Sequence, residues 1–385
     1  MAKKVAIVLF NLGGPDSLKA VKPFLFNLFN DPAIIDAPTI IRYFLAKLIS
    51  TRRNKSAKKI YKKMGGRSPI LSYTEEQASA LYKELTLSDE GKSGIEFRCF
   101  IAMRYWHPFT KDTVAQVHEW GPDEVHLMPL YPQFSTTTSN SSIEEWKRCA
   151  DAIKMDINTK VVYCYPTLNG FVDACAELTI PVYSQASQHG KPRILFSAHG
   201  LPKKIIDGGD PYQWQIEQTT NAVIDKLKIL INDEALDFSI CYQSRVGPLE
   251  WIGPSTEELI IKAAEEKVPI IIVPIAFVSE HSETLVELDI EYKNLAQQHG
   301  CEYYYRVPAV ATNHHFIKGL KQLSLSLFKN DNSQEDHLSF NSKENIHYQT
   351  KCPDKFSQCP HHLSNKNEDK NYGEQKGPCV NCKKE

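Results

Sequence analysis

The sequence has almost no net charge and no long apolar segment. Its 45 basic and 46 acidic side chains leave a formal charge of −1, so no overall positive field favours nucleic acid as a partner. The apolar run within M-A-K-K-V-A-I-V-L-F-N-L is too short for a membrane span and lacks a signal-peptide cleavage pattern. We therefore expect it to form the first β-strand of a globular protein.

The cysteines do not follow the pattern of a small secreted protein held by disulfides. Six of the ten are scattered through apparent core segments, and four crowd the last part of the chain. Scattered cysteines without an export signal are typical of a reducing compartment, where thiols stay free. This usage predicts a cytoplasmic protein.

Nucleotide-binding motifs are also missing. The glycine-containing turn K-K-M-G-G-R-S-P-I matches neither G-x-G-x-x-G nor a P-loop. A fixed cation before this turn, Arg53, is suited instead to recognising a carboxylate.

What is present is an alternation of short apolar runs with longer amphipathic stretches. Continuous apolar strands separated by helices indicate parallel sheets covered on both faces, and eight strands over 385 residues suit two doubly wound sheets better than one. We expect an α/β fold of two Rossmann-like domains, each a parallel sheet flanked by helices. The predicted strands are Val5–Phe10, Ile95–Met103, Glu124–Pro129, Lys160–Tyr165, Ile194–Ala198, Asp237–Cys241, Ile270–Val273 and Glu302–Val307. The predicted helices include Thr74–Leu85, Lys111–Trp120, Ser142–Met155, Tyr212–Leu230, Thr256–Glu266 and Ser282–Gln298.

His199 follows an apolar strand in R-I-L-F-S-A-H-G-L-P. Gly200 lets the backbone turn sharply and Pro202 ends the strand. His199 is therefore expected at a strand's carboxyl end, where an open α/β sheet binds its ligand. An imidazole there can accept a proton near neutral pH or bind a metal. The alternative is that His199 only caps a turn. The position of His199 at a strand end favours a functional role over this alternative.

Four carboxylates fall on one face of the helix predicted after I-A-F-V, at about 100° per residue. They are Glu280, Glu283, Glu287 and Glu291, with His281 about a quarter-turn away. Neighbouring carboxylates in this row repel one another, and none has a basic partner four residues later on the same face to offset the repulsion. Two interpretations stay open: solvated acids that favour the helix N-terminus, or a path that leads a divalent cation or protons into a cleft.

Two segments that follow strands carry aromatic and cationic side chains. Trp251 lies in a loop stiffened by glycine and proline, where it is either a packing anchor or a stacking surface for a flat ligand. Arg104 and Tyr105 lie in M-R-Y-W-H-P-F, directly after another strand.

The segment of residues 32–53 contains I-I-D-A-P-T-I-I-R-Y-F-L-A-K-L-I-S, which is apolar with few charges. It is either an ordinary core helix or an apolar lip around a ligand pocket that also contacts a membrane surface.

The tail of residues 330–385 is polar and poor in large apolar side chains, so it cannot bury enough surface to fold alone. Within it, Cys352 and Cys359 are separated by six residues, and Cys379 and Cys382 form a C-x-x-C pair. Thiolates in such pairs bind zinc or iron–sulfur clusters, and metal binding would order the tail.

Several long motifs, in order, resemble those of the ferrochelatases. They are L-F-N-L-G-G-P-D-S, G-G-R-S-P-I, R-Y-W-H-P, L-Y-P-Q-F-S, S-A-H-G-L-P, Y-Q-S-R-V-G-P and S-E-H-S-E-T-L-V-E-L-D-I-E-Y, within residues 5–328. The resemblance implies the chelatase fold, with a porphyrin in the cleft between two Rossmann-like domains. It implies insertion of ferrous iron, as substrate, into protoporphyrin IX to form haem. The expected domains are residues 1–165, completed by 308–329, and residues 166–307, followed by the 330–385 tail.

By this resemblance, His199 corresponds to the family histidine proposed to receive pyrrole protons or bind iron, and Glu283 to its facing carboxylate. The remaining metal-path candidates are Glu287, Glu291, Glu280 and His281. Arg53, Tyr61 and Ser68 look like groups on the propionate side. Leu12, Arg104, Tyr105 and Trp251 look like pocket walls. The apolar lip implies peripheral contact with the inner face of the cell membrane.

Two other functions remain as alternatives. A coproporphyrin III ferrochelatase would need more cations for the extra propionates, and the apolar lip favours the less polar substrate. A haem or metal carrier without turnover needs no proton path, which the acidic row provides.

The resemblance also bears on the tail cysteines, because some ferrochelatases hold a [2Fe–2S] cluster by three terminal cysteines and one internal cysteine. One branch has its internal cysteine after L-Y-P-Q-F-S, where this chain has Thr136. Cys149 on the following helix is the internal candidate, unless all four ligands come from the tail. A cluster is favoured over structural zinc and over free thiols.

Overall fold

The protein is an α/β molecule with two parallel four-stranded sheets, in a computed structural model that describes residues 2–245, 247–328 and 352–360. The strands are β1 Lys4–Asn11, β2 Glu96–Met103, β3 Glu124–Pro129, β4 Asn158–Val161, β5 Arg193–His199, β6 Asp237–Gln243, β7 Ile270–Pro274 and β8 Tyr304–Arg306. The first sheet has the order β2-β1-β3-β4 and the second β6-β5-β7-β8, with every pair parallel. The predicted fold class is confirmed.

Helices cover these sheets. They are α1 Val21–Phe29, α2 Thr39–Lys63, α3 Ile70–Thr86, α4 Asp89–Lys92, α5 Thr110–Trp120, α6 Ser141–Ala152, α7 Asn169–Ala186, α8 Lys203–Asp207, α9 Tyr212–Ile231, α10 Thr256–Glu265, α11 Lys293–Gln298 and α12 His314–Ser326. A short 3₁₀ turn spans Ser187–His189, and π-helical segments span Thr136–Asn140 and Glu283–Tyr292.

All eight predicted strands exist, but β4 lies earlier than predicted. The prediction placed it at residues 160–165, whereas its pairing with β3 ends at Val161. Beyond that point the chain leaves the sheet, and the Tyr165 N–H donates to the carbonyl of Pro132. Apolar composition predicted that a strand lies here but not where its pairing ends.

The two sheets share one continuous apolar core. The largest buried cluster includes Leu9 of β1, Phe196 of β5, Phe171 of α7 and Phe316 of α12. Helices α7 and α12 pack against each other, and α12 also packs on α3 of the first sheet. A side-chain hydrogen bond also joins the first sheet's helix α3 to the loop after β7: Gln77 Nε2 donates to the Val278 carbonyl at 2.8 Å. The predicted domain boundaries remain a prediction.

The apolar segment before Arg53 is not an ordinary core helix. Ile40, Ile41 and Phe44 on α2 are 74%, 54% and 63% exposed, and we call these three side chains the lip residues. Burial on the first half of α2 is confined to small residues, Ala46 and Ser50. The core interpretation of residues 32–53 is therefore wrong. Among the described residues, no helix combines the length and apolar character needed to cross a membrane.

Candidate functional site

His199 is the last residue of β5, at the carboxyl edge of the second sheet. The turn after it depends on the missing side chain of Gly200. A Cβ there would lie 2.9 Å from the Gln243 carbonyl oxygen and 3.3 Å from the Trp251 ring. The Tyr212 hydroxyl donates to the His199 carbonyl at 3.0 Å. These contacts fix the backbone so that the imidazole is half-buried at the sheet edge.

Glu283 faces this imidazole from the start of a π-helical segment. Its Oε2 lies 3.0 Å from His199 Nδ1 and 3.5 Å from His281 Nε2. Burial opposes ionisation of Glu283, but the two histidines outweigh it and hold the carboxyl pKa well below its usual range. Burial likewise opposes protonation of His199, and the charges of Glu283 and Glu287 overcome it, so the pKa of His199 is raised. The pair therefore combines a fixed anion with a proton acceptor.

Glu287 continues the acidic row one step along. It accepts hydrogen bonds from Gln243 Nε2 at 3.0 Å, from the Ser244 hydroxyl at 2.6 Å and from the Tyr292 hydroxyl at 3.0 Å. Burial and the charge of Glu283 together raise the pKa of Glu287, against the effect of those donors. Its carboxyl is thus easier to protonate than that of Glu283. Two neighbouring carboxyls with opposite pKa shifts are suited to passing protons.

Glu291 ends the row at the protein surface. It is half exposed and lies 3.3 Å from Lys63 Nζ at the end of α2. Glu283, Glu287 and Glu291 therefore form a row from the His199 pair to solvent, along a π-helical segment rather than the α-helix that was predicted. Segments of this kind are rare and occur frequently at functional sites.

Glu280 does not lie on that helix face. The helical turns begin after it, and its carboxylate accepts from Arg306 Nη1 at 2.8 and 3.1 Å and from the Ala309 N–H at 2.9 Å. Arg306 also binds Asp289 through two hydrogen bonds, at 2.6 and 2.8 Å. The predicted geometry of Glu280 is wrong, because the α-helical periodicity was extended over residues that precede the helix. Arg306 was missed, although it lies at a strand's carboxyl end.

Leu12, Tyr61 and Tyr105 meet in one apolar cluster beside α1. Tyr61 is buried beside Ser282 and Glu283, at the start of the π-helical region. Burial, together with the nearby charge of Glu283, raises the pKa of Tyr61 to about 12. The end of α2 is thereby fixed against the segment that carries the acidic row.

Arg104 and Tyr105 are tied to a buried carboxylate that sequence reasoning missed, Asp31. Its Oδ2 lies 2.8 Å from Arg104 Nη2 and accepts from the Tyr105 hydroxyl at 2.7 Å and the Ser141 hydroxyl at 2.6 Å. Arg104 lines a neighbouring cleft of about 570 Å³ that Asp31 and Arg148 also line. Tyr105 itself is 1% exposed. Arg104 and Tyr105 are thus both held by Asp31. Their predicted contact with a porphyrin stays a prediction.

The remaining predicted pocket residues are spread around this region. Arg53 is exposed, with its guanidinium 5.8 Å from the centre of the Phe29 ring. Ser68 is held by its N–H, which donates to the Pro15 carbonyl at 2.8 Å. Trp251 packs beside the turn after His199, and its Nε1 is buried with no hydrogen-bond partner among the described residues.

The described part of the tail, residues 352–360, docks on the body of the protein. Cys352 and Cys359 are buried there, with Phe356 against the Trp214 ring. Gln215 Nε2 lies 3.3 Å from the sulfur of Cys352 and 3.4 Å from that of Cys164.

The internal cysteine beside the tail pair is therefore Cys164 rather than Cys149. The thiol of Cys149 contacts Glu145 on its own helix at 3.6 Å. Cys379 and Cys382 lie outside the described residues. Sequence reasoning missed Cys164 because nothing in its local pattern marks a ligand.

Comparison with known proteins identifies the family. The ferrochelatase family model matches residues 4–326. The ferrochelatase of Pelagibacter ubique is 48% identical over 358 residues, covering 93% of this chain and 98% of its own length. That of Caulobacter vibrioides is 53% identical over 320 residues, covering 83% and 89%. The sirohydrochlorin chelatase SirB from Bacillus subtilis subspecies spizizenii, solved with cobalt, shares the fold at a TM-score of 0.51, with 11% identity over 88% of this chain and all of that chain.

The prediction of a metal chelatase of the lyase class is thus confirmed, with ferrous iron and a porphyrin as its substrates. The chain belongs to the ferrochelatase family.

Proposed function

We propose that this protein inserts ferrous iron into protoporphyrin IX in the cytoplasm, with His199 and Glu283 as the reaction centre. The observation that carries the proposal is the 3.0 Å contact between these two side chains at the carboxyl edge of the second sheet. Insertion releases two pyrrole protons as the iron binds four pyrrole nitrogens. A base that faces a row of carboxylates leading to solvent supplies a place for those protons and attracts the cation.

The roles of the individual side chains follow from their surroundings. His199 accepts a pyrrole proton or binds the arriving iron, and the charge of Glu283 stabilises either positive form. Glu287 and Glu291 carry protons or cations between that pair and solvent. Glu280 acts indirectly, because Arg306 and Ala309 hold its carboxylate. His281 lies within reach of Glu283 and steadies its charge.

An anaerobic insertion assay with purified protein tests this function. Ferrous iron and protoporphyrin IX are supplied, and loss of porphyrin fluorescence is followed with time. Coproporphyrin III is run in parallel. We expect a higher kcat/KM for protoporphyrin IX, because the exposed lip favours a less polar macrocycle and Asp31 already pairs with Arg104. A preference for coproporphyrin III would overturn the substrate, and binding without turnover would favour a carrier.

We also propose that α2 docks on the inner face of the cell membrane. Its first half presents the exposed lip residues, and its second half carries the exposed cations Arg52, Lys55, Lys59, Lys62 and Lys63. Apolar side chains that enter a bilayer and cations that attract anionic headgroups act together in peripheral binding. In sedimentation with vesicles, more protein should bind to anionic than to neutral lipid. Failure of the protein to sediment with either lipid would contradict the proposal.

The tail cysteines support a third proposal, a [2Fe–2S] cluster held by Cys164, Cys352 and Cys359 with one of the two terminal cysteines. The donor set fits, because thiolates are the soft ligands that iron–sulfur clusters and zinc prefer. Gln215 contacts the thiols of Cys164 and Cys352, and Cys359 lies beside both. A hydrogen bond to Cys359 and burial raise the pKa of Cys352, and burial raises that of Cys164 to about 12. Binding the cluster would release those thiol protons. Colourless, iron-free protein prepared anaerobically would exclude the cluster and leave zinc or free thiols.

A further inference from the structure

Three metal-binding side chains converge away from the proposed reaction centre. Glu177 lies in the middle of α7, and His314 and His315 begin α12. Each offers a ligand atom, and these atoms lie within 4.8 Å of one another. Glu177 and His314 are exposed and His315 is half-buried, so a cation can reach them from solvent. The proposed iron insertion uses none of the three.

The two helices that carry these side chains are held rigidly together by glycine contacts. A Cβ on Gly170 of α7 would lie 2.3 Å from the His315 carbonyl oxygen and 3.0 Å from the Gly319 Cα. Phe171 and Phe316 pack beside this contact, with ring centres 5.9 Å apart. The spacing between the helices is therefore fixed before any ligand binds, which lowers the entropic cost of forming a site.

Asn313 connects the two sides of the cluster. Its Oδ1 accepts from the His315 N–H at 2.9 Å and caps α12, while its Nδ2 donates to Glu177 Oε2 at 2.7 Å. This is the arrangement by which outer groups orient a metal-binding carboxylate. The rings of His314 and His315 lie with centres 3.9 Å apart, so both imidazoles face the same region.

We propose that Glu177, His314 and His315 form a second divalent-cation site, selective for zinc, nickel or copper over magnesium and calcium. Two imidazoles and one carboxylate are typical ligands of these ions, and three protein ligands leave a position for water. The N-terminal end of α12 repels a cation, and the charge of Glu177 offsets that repulsion. An ion bound here links α7 to α12, the helix that also packs on α3 of the first sheet.

Nickel titration by calorimetry tests the site. The full chain is used with His199→Ala and Glu283→Gln, so that the proposed reaction centre contributes less to binding. A second protein adds His314→Ala and His315→Ala. A matched control adds instead His118→Ala and His299→Ala, which remove two exposed histidines elsewhere.

We expect the bound nickel to fall by about one ion per chain with the first pair of substitutions and to stay unchanged in the control. Glu177→Gln keeps an acceptor for Asn313 and should weaken this class of site by about tenfold or more. Because Glu177 is exposed, that variant should fold normally, which circular dichroism checks. Equal nickel binding with and without the two histidines, unchanged affinity in Glu177→Gln, or displacement of nickel by equimolar magnesium would each overturn the proposal.

Discussion

Glu124→Gln should destabilise the protein in a way that depends on pH. Glu124 is buried on β3, with Oε1 2.6 Å from His126 Nε2 and 3.0 Å from Lys160 Nζ. Lys160 also donates to the Leu327 carbonyl at 2.6 Å, and His126 Nδ1 lies 3.1 Å from the Ser324 hydroxyl. The carboxylate thus ties β3 and β4 to the end of α12, in the segment predicted to complete the first domain.

The size of the effect follows from the pKa of Glu124. Burial opposes its ionisation, but hydrogen bonds from His126, Lys3 and Lys160 outweigh it and lower the pKa from 4.5 to about 2. At about 1.4 kcal/mol per pH unit, this difference contributes about 3 kcal/mol to the free energy of unfolding. Because the pKa is lower in the folded protein, the contribution is complete above about pH 4.5 and is lost as the pH falls towards 2.

Urea denaturation followed by circular dichroism measures this effect at neutral pH and at several values below 5. We expect Glu124→Gln to cost about 3 kcal/mol at neutral pH, with the gap to the parent protein narrowing in acid. The control is Glu144→Gln, whose carboxylate is 57% exposed and pairs with Lys147 at 2.9 Å; it should cost at most about 1 kcal/mol. Equal losses for the two variants, or a loss from Glu124→Gln that is the same in acid, would refute the reasoning.

Three further predictions concern function. Serine at the three lip residues should weaken binding to anionic vesicles and porphyrin, with about 0.5 kcal/mol or less of stability lost per site; a large fall in melting temperature with unchanged porphyrin binding would contradict this. Cys164→Ser should remove the visible absorption and iron of a purified cluster, whereas Cys149→Ser should leave both, and the reverse pattern would return Cys149 to the ligand set. Gly200→Ala should lower turnover by about 10- to 100-fold by displacing His199, while Gly253→Ala, whose Cβ would meet nothing nearer than 3.8 Å, should not; equal activities would show that the turn tolerates a side chain.

Much of the fold could be predicted because its strands are buried on both faces. Runs such as Val5–Phe10 are apolar without interruption. Because such runs are separated by predicted helices, they indicate parallel strands covered on both faces. The π-helical turns after Ser282 could not be predicted, because periodicity arguments assume α-helical geometry. For residues 32–53, apolar composition alone left a core helix and an exposed lip equally open, since it does not reveal whether a partner covers the helix; the exposure of Ile40 and Phe44 excludes the core helix.

The candidate site divides in the same way. His199 could be placed at a strand's carboxyl end from the sequence and paired with Glu283 through the family resemblance, and the structure brings the two to 3.0 Å. Partners distant in the chain were not visible. Asp31 neutralises Arg104, Arg306 holds Glu280, and Cys164 meets a tail cysteine almost two hundred positions later, contacts that only the folded chain creates.

The most direct test of the central claim is iron insertion by His199→Ala and Glu283→Gln, measured anaerobically with protoporphyrin IX and with His118→Ala as control. Neither side chain fills the core, so both variants should fold, which circular dichroism checks. Glu283→Gln should still lower the melting temperature at neutral pH, because the folded protein favours the ionised carboxylate. We predict that each variant loses insertion by about 100-fold or more, while the exposed His118 is dispensable. Near-normal turnover in either variant, with the fold intact, would contradict the assignment of His199 and Glu283 as the reaction centre.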